Sequence, residues 1–254
     1  MQIVLSKRMQ AVAAMVTPGR QRVCDVGCDH GYVSIYLVQQ GISRKALATD
    51  VRKGPLSQAQ IHIREAGLEA YIETRLSDGL SMIEPGECDA MICAGMGGKL
   101  MAQILSNGLE TAKQMKELVL QPQSDLKFFR GWLYDHCFVI VAENMIFEEG
   151  KYYPMMRAQK CGGMSEAKDR NHCLEIPGKI MEENTEEQSS GAGDTENQRK
   201  NMDDIGFKYE AGKEKEEQEL RYGPMLLEKK HPLLAGYLDR EETLYRNVLT
   251  SLEG

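Results

Sequence analysis

No stretch of this 254-residue sequence approaches 18 apolar residues, and its N-terminus carries no apolar signal region. The expectation is a soluble, unexported, cytoplasmic protein with no membrane partner. Also missing is any Gly-x-Gly-x-x-Gly run, the pattern that cradles a pyrophosphate in dinucleotide-binding proteins, so a nucleotide-dependent dehydrogenase is the least favoured enzyme. Seven cysteines are scattered through the chain. Cys24, Cys28, Cys88 and Cys93 fall in or beside predicted strands, so reduced, mostly buried thiols are expected. The spacing of Cys161, His172 and Cys173 matches no zinc pattern, and no metal is expected. An excess of positive charge is absent too, with a formal charge of −7. That charge is uneven: residues 1–160 hold 18 Lys and Arg against 17 Asp and Glu, and residues 161–254 hold 13 against 21. The acid belongs to the tail, and the first part has room for a local basic face without advertising one.

What is present is a strand, a tight loop and a helix in close succession. The short apolar run Gln21–Asp25 follows the breaker Pro18-Gly19, and Tyr32–Val38 carries apolar residues at helical spacing. Between them lies Val26-Gly27-Cys28-Asp29-His30-Gly31, with Gly27 leaving room for a ligand and Gly31 allowing close helix packing. Asp25 before the loop and Asp29 inside it would repel a phosphate. They suit a ligand with a cationic amino-acid end, and S-adenosylmethionine, with its ammonium and sulfonium, is such a ligand.

Three later strand ends repeat the theme. Lys45–Asp50 closes on an acid 23 residues beyond Gly27, where a nucleoside-binding α/β protein places its ribose ligand. Tyr71–Leu76 leads into Ser77-Asp78-Gly79, with Asp78 placed to meet an adenine amino group. Cys88–Cys93 enters Ala94-Gly95-Met96-Gly97-Gly98, three glycines in four residues, which suits backbone lying against a ligand. The C-terminal edge of an open α/β sheet is where ligands sit, so these four features together predict a Rossmann-like, S-adenosylmethionine-dependent methyltransferase.

The remaining chain fits that frame. Leu5–Val16 reads as an amphipathic helix capped by Ser6. Helices are expected from Pro55 to Ala66, from Lys99 to Leu105, and from a Ser124 or Asp125 cap to Asp135. Leu118–Pro122 gives a fifth strand, and Phe138–Phe147 with Tyr152–Ala158 forms a terminal hairpin. The expected fold is α/β, a mostly parallel sheet with an antiparallel terminal hairpin, followed by a small C-terminal helical, coiled-coil domain. The expected boundaries are a methyltransferase domain over 1–160, an acidic low-complexity linker over 161–218, and a helical region over 219–254 whose helix runs from His231-Pro232 to Leu252.

The chain resembles one family, the bacterial tRNA (adenine-22-N1)-methyltransferases. The likeness lies in Leu5-Ser6-Lys7-Arg8, Asp25–Tyr32, Ser77-Asp78-Gly79-Leu80, Ala94–Gly98, Leu118-Val119-Leu120-Gln121-Pro122, Trp132-Leu133-Tyr134 and Tyr222-Gly223-Pro224-Met225-Leu226-Leu227. It implies methyl transfer from S-adenosylmethionine to N1 of adenine in tRNA. That chemistry agrees with the absence of the Asn/Asp-Pro-Pro-Tyr/Phe run used on exocyclic amines. The cofactor-binding residues expected are Asp25, Gly27, Asp29, His30, Gly31, Asp50, Asp78, Gly79, Ala94, Gly95 and Met96. Asp29 is expected to be catalytic as well, relieving the charge created on the adenine. Lys7, Arg8, Gly97, Gly98, Gln121 and Pro122 are expected on the substrate side, and Tyr32, Met96 or Phe128 are placed to receive the flipped base. Arg20, Arg22, Lys127, Arg130, Lys151 and Arg157 add cations for phosphate contact. The alternatives are a methyltransferase acting on a small molecule or a protein, and an S-adenosylmethionine-binding module without turnover.

Overall fold

The computed structural model of the protein describes residues 2–161 and 214–252. Five strands, β1 (Arg20–Val26), β2 (Ser43–Asp50), β3 (Ile72–Leu76), β4 (Ala90–Met96) and β5 (Glu117–Pro122), run parallel. Two more, β6 (Phe138–Glu148) and β7 (Lys151–Lys160), join antiparallel at one edge, in the sheet order β3-β2-β1-β4-β5-β7-β6. The strand order reverses at β1, which lies between β2 and β4. That reversal opens a crevice at the C-terminal strand ends, because the connections leaving β1 and β4 diverge to opposite faces.

The central strands are buried on both sides, which their near-continuous apolar runs require of a parallel sheet. Alternate residues feed two cores. Cys24, Leu47, Met91, Cys93, Leu118 and Leu120 face one layer, and Val23, Ala46, Ala48, Ile92 and Val119 face the other. The first layer is covered by α4 (Gly98–Asn107), α5 (Leu109–Gln114) and α6 (Leu126–Asp135). The second is covered by α1 (Lys7–Ala14), α2 (Tyr32–Gln39) and α3 (Lys53–Glu65). The Ser6 hydroxyl accepts from the Met9 amide, as its position before α1 predicts. Asp125 does stand at the N-cap of α6, but with φ +55° its side chain caps nothing; it accepts instead from the Ser124 hydroxyl at 2.7 Å. Helix α5 was not legible in sequence, because six residues are too few to display a helical period.

The hairpin turns on Glu149 (φ +50°) and Gly150 (φ +74°), two successive left-handed residues that match the twist of the flanking strands. Its outer strand carries the C-terminal segment. Helix α7 spans 214–222, so helical structure starts inside the stretch expected to be linker, and Glu217 of that helix pairs with Lys127 at 2.6 Å. Helix α8 (Pro224–Glu228) and the start of α9 (Leu234–Leu252) then bury Leu226 and Leu234 against Met145 of β6. The apolar stripe of α9 therefore divides: Tyr237 and Leu238 pack on the hairpin, and Leu244, Tyr245, Val248, Leu249 and Leu252 are exposed. Among the described residues no helix is long and apolar enough to cross a membrane. The six described cysteines are all free thiols, and Cys24, Cys28, Cys88 and Cys93 are buried as expected. His172 and Cys173 lie outside the described residues.

Candidate functional site

A cavity of about 590 Å³ opens at the C-terminal strand edge. Into it come Asp25, Gly27, Asp29 and His30 from the loop after β1, Asp50 from β2, Asp78 and Gly79 after β3, and Ala94, Gly95 and Met96 from β4. Four strand ends that are far apart in sequence thus converge on one space.

The loop after β1 is held by its own amides. Gly27 and Cys28 both donate to the Thr49 carbonyl, at 2.9 and 2.8 Å, Asp29 donates to the Asp50 carboxylate at 3.3 Å, and Gly31 donates to the Cys28 carbonyl at 2.8 Å. Amides spent in this way make no phosphate nest, which removes the dinucleotide reading on geometric grounds. Gly27 has φ +73°, and a Cβ there would overlap the Met96 methyl group, so loop and β4 touch through the glycine. Beyond it, the register of β4 against β5 shifts between Ala94 and Met96, the irregularity of a bulge. At Gly95 (φ +82°) the nearest atom to a Cβ would be Gln123 Nε2 at 3.7 Å, which leaves the backbone open toward the cavity.

Three acids stand at different depths. Asp25 is buried, accepts from the Ser34 hydroxyl at 2.8 Å, and has its carboxyl pushed up to about 6. Desolvation is the main cause; the Asp50 charge adds to it and the Ser34 hydrogen bond opposes it. Asp50 is also buried, and it receives amides from both Asp29 and Arg52, the latter at 2.9 Å. Asp29 stands at the lip with its side chain 63% exposed, its backbone at φ +50° and the His30 imidazole 3.6 Å away. The buried acids are suited to meet a cation that enters without its water, and the lip acid to meet a second reactant. Behind His30, His62 Nδ1 lies 3.0 Å from the His30 carbonyl and His62 stacks on Tyr32 with 4.6 Å between centroids. Tyr32 is itself exposed in the cavity, as is Met96 in part.

Several expected residues do other work. Gly31 lies outside the cavity; a Cβ there would stand 3.0 Å from that of Ala59, so this glycine lets α2 pack on α3. Gly97 and Gly98 are also outside it. A Cβ on Gly98 would meet the Ser124 and Asp125 carbonyls at 2.7 and 3.0 Å, so the glycine pair makes room for the loop after β5. Gln121 and Pro122 are buried in β5, with Gln121 Nε2 directed to the Pro122 carbonyl at 3.3 Å, and the residue that reaches the cavity is Gln123. Lys7 is exposed away from the cavity, whereas Arg8 lines it, 4.7 Å from the Tyr153 ring.

Most of the proposed phosphate-binding cations are committed elsewhere. Arg130 pairs with Glu143 at 2.9 Å in the core, Arg20 with Glu117 at 2.8 Å, and Arg22 with Glu73 at 2.6 Å. Arg157 donates to Thr17 at 3.0 Å. Arg20 and Arg22 also start β1, at the end of the sheet opposite the cavity.

Sequence reasoning missed the cover of the site. Leu5, Ser6 and Met9 line it from the chain ahead of and within α1, and Val51, Leu100 and Ile104 supply apolar walls. A signal for Val51 was present, an apolar residue immediately past a strand-end acid. Among the described residues, no three His, Cys, Asp or Glu side chains are placed to hold a metal.

Residues 5–156 match the methyltransferase-domain family. The Bacillus subtilis tRNA (adenine(22)-N(1))-methyltransferase is 35% identical over 158 residues, which are 62% of this chain and 66% of that protein. The crystal structure of the B. subtilis m1A22 tRNA methyltransferase superposes with a TM-score of 0.73 at 25% identity, covering 99% of this chain and 88% of that one. A Streptococcus pneumoniae structure in complex with S-adenosyl-L-methionine superposes at 0.70 with 28% identity, over 98% and 95% of the two chains. The chain belongs to the methyltransferase-domain family and, within it, is similar to tRNA (adenine(22)-N1)-methyltransferases.

Proposed function

We propose that this protein transfers the methyl group of S-adenosylmethionine to N1 of an adenine in tRNA, at position 22 by its likeness to the B. subtilis enzyme. The observation that carries this reading is the acid-lined cavity, whose loop amides are spent on Thr49 and Asp50 and whose deepest carboxyl, Asp25, is desolvated. A cationic nucleoside fits such a site and a pyrophosphate does not. When bound, S-adenosylmethionine supplies an electrophilic methyl on a sulfonium. Asp25 and Asp29 would face its ammonium, Asp50 its ribose hydroxyls and Asp78 its adenine amino group, with Gly27, Gly79, Ala94, Gly95 and Met96 presenting backbone or a flexible side chain against it.

The acceptor sets what the chain must add. N1 of adenine carries an in-plane lone pair, so no side-chain base is needed, and most of the acceleration comes from orienting the base and excluding water. Alkylation at N1 leaves positive charge on the ring. Asp29, at the lip, is placed to accept a hydrogen bond from the exocyclic amine and to disperse that charge. Tyr32 offers an exposed ring on which the extruded base stacks. A tRNA substrate also puts the protein's work in the cytoplasm.

The test is incubation with methyl-labelled S-adenosylmethionine and unmodified tRNA, then nucleoside digestion and chromatography. Label in 1-methyladenosine is the expected result. Label in a protein or small acceptor, or cofactor binding with no transfer, would overturn the proposal.

A further inference from the structure

A second groove of about 790 Å³ lies beside the cavity, between α6 on one side and α7 and α9 on the other. We infer that it is a second base-binding site, taking a nucleotide adjacent to the target adenine and stacking its base on Phe128 and Tyr245. The inference rests on the RNA-methylating reading above and assigns that reading's substrate a further contact.

Continuity is the first argument. Gln123 lines both spaces, so a chain whose one base enters the cavity places its neighbour over the groove. The walls are the second. Phe128 and Tyr245 are 49% and 52% exposed, and such rings are platforms on which any base can stack. Arg221 braces Tyr245, its guanidinium 4.8 Å from the ring centroid and bonded to the phenol oxygen. The third argument is Gly131, in the middle of α6 and lining the groove. A glycine in the middle of a helix is destabilising relative to alanine. No atom lies within 4 Å of where its Cβ would stand, so packing does not require it, and the groove gains a flat floor.

The charge pattern selects the ligand. Asp125 and Lys127 line the α6 wall, the latter paired with Glu217, and Arg221 and Glu241 line the opposite wall, a mixed set that does not suit a run of phosphates. Carboxylates beside aromatic rings accept from an exocyclic amine, which adenine, cytosine and guanine carry and uracil lacks. The groove therefore takes an amino-bearing base.

Trp132, the single tryptophan of the sequence, lines the groove and reports on it. Unmodified tRNA added to the full-length protein with S-adenosylhomocysteine is expected to change Trp132 emission saturably. Phe128→Ala is expected to raise KM for tRNA about tenfold, the loss expected of one stacked base, with KM for S-adenosylmethionine unchanged. Phe128→Tyr should restore it. Gly131→Leu, which fills the floor, should act like Phe128→Ala. Wild-type turnover on tRNA with both lesions within twofold of wild type would overturn the groove and leave the tRNA reading standing. If the wild-type protein methylates no tRNA, Trp132 is titrated with oligoadenylate and oligouridylate of equal length. Tighter binding of oligoadenylate keeps the groove while the tRNA reading falls, and no response to either overturns both.

Discussion

The Ser34 hydroxyl, in the first turn of α2, donates at 2.8 Å to the carboxylate of Asp25 near the end of β1, and both side chains are buried. One neutral donor is too little to hold a desolvated charge, and the carboxyl rises from an ordinary 3.8 to about 6.

The sign of the resulting pH dependence is fixed by that rise. Between about pH 4 and pH 6 the folded protein holds a proton that the unfolded chain releases, so ligand-free stability falls as pH rises through this window. At pH 7.5 the ionised carboxylate costs roughly 1–3 kcal/mol. Asp25→Asn should therefore melt a few degrees higher than wild type at pH 7.5, with the difference shrinking toward pH 4. The same change should weaken S-adenosylmethionine binding at least tenfold, and wild-type affinity should fall below about pH 6. Calorimetric melting and titration across pH check both halves. An Asn variant that melts lower at pH 7.5 and binds normally would remove the electrostatic role assigned to Asp25.

The C-terminal segment is tied to the sheet by a buried ion pair rather than by apolar packing alone. Arg130 Nε and Nη2 reach Glu143 Oε1 at 3.0 and 2.9 Å, Arg130 Nη1 donates to the Leu220 and Arg221 carbonyls at 3.0 Å each, and Glu143 Oε2 accepts from the Met225 amide at 3.0 Å. Removing one partner strands a buried charge, which costs about 3–5 kcal/mol. Glu143→Leu and Arg130→Met should each destabilise strongly, and the double variant should lose less than their sum. Urea unfolding of the four proteins closes the cycle, and additivity would show that the pair is not coupled.

Arg8 and Arg22 separate the cations that face the site from those that do not. Arg8 lines the cavity, whereas Arg22 is bound to Glu73 and Glu87 at the far end of the sheet. Arg8→Ala should weaken tRNA binding and lower the salt slope by about one. Arg22→Ala should leave both unchanged, with its effect confined to stability. Equal loss for the two variants in filter binding at several salt concentrations would contradict this division.

Four convergent strand ends were legible because a parallel sheet aligns the C-termini of its strands, so Asp25, Asp50, Asp78 and Gly95 each announce the same edge from local sequence. Gly31 does the helix packing expected of it but lies outside the cavity, and Gly97 and Gly98 make room for a loop, because a glycine that admits a neighbouring helix or loop looks the same in sequence as one that admits a ligand. Which of Arg20, Arg130 and Arg157 are free for phosphate was not legible, because their partners Glu117, Glu143 and Thr17 lie on other parts of the chain that only the fold brings near. The groove was invisible for the same reason, since α6 and α9 meet only in three dimensions.

Asp29 carries two properties that a single substitution confuses. Its backbone has φ +50°, a conformation that alanine adopts at a cost of about 1–2 kcal/mol, and its carboxylate stands at the lip of the cavity. Asp29→Gly removes the side chain while keeping the backbone at ease, and Asp29→Asn keeps both the shape and the left-handed tolerance but discards the charge. If the carboxylate disperses charge on the alkylated adenine, both variants should lose kcat by about 10²-fold, and the glycine variant should be as stable as wild type. If the residue serves only the turn, glycine should retain full kcat. Single-turnover rates at saturating tRNA and S-adenosylmethionine separate these outcomes, because any weakening of cofactor binding is then removed from the comparison.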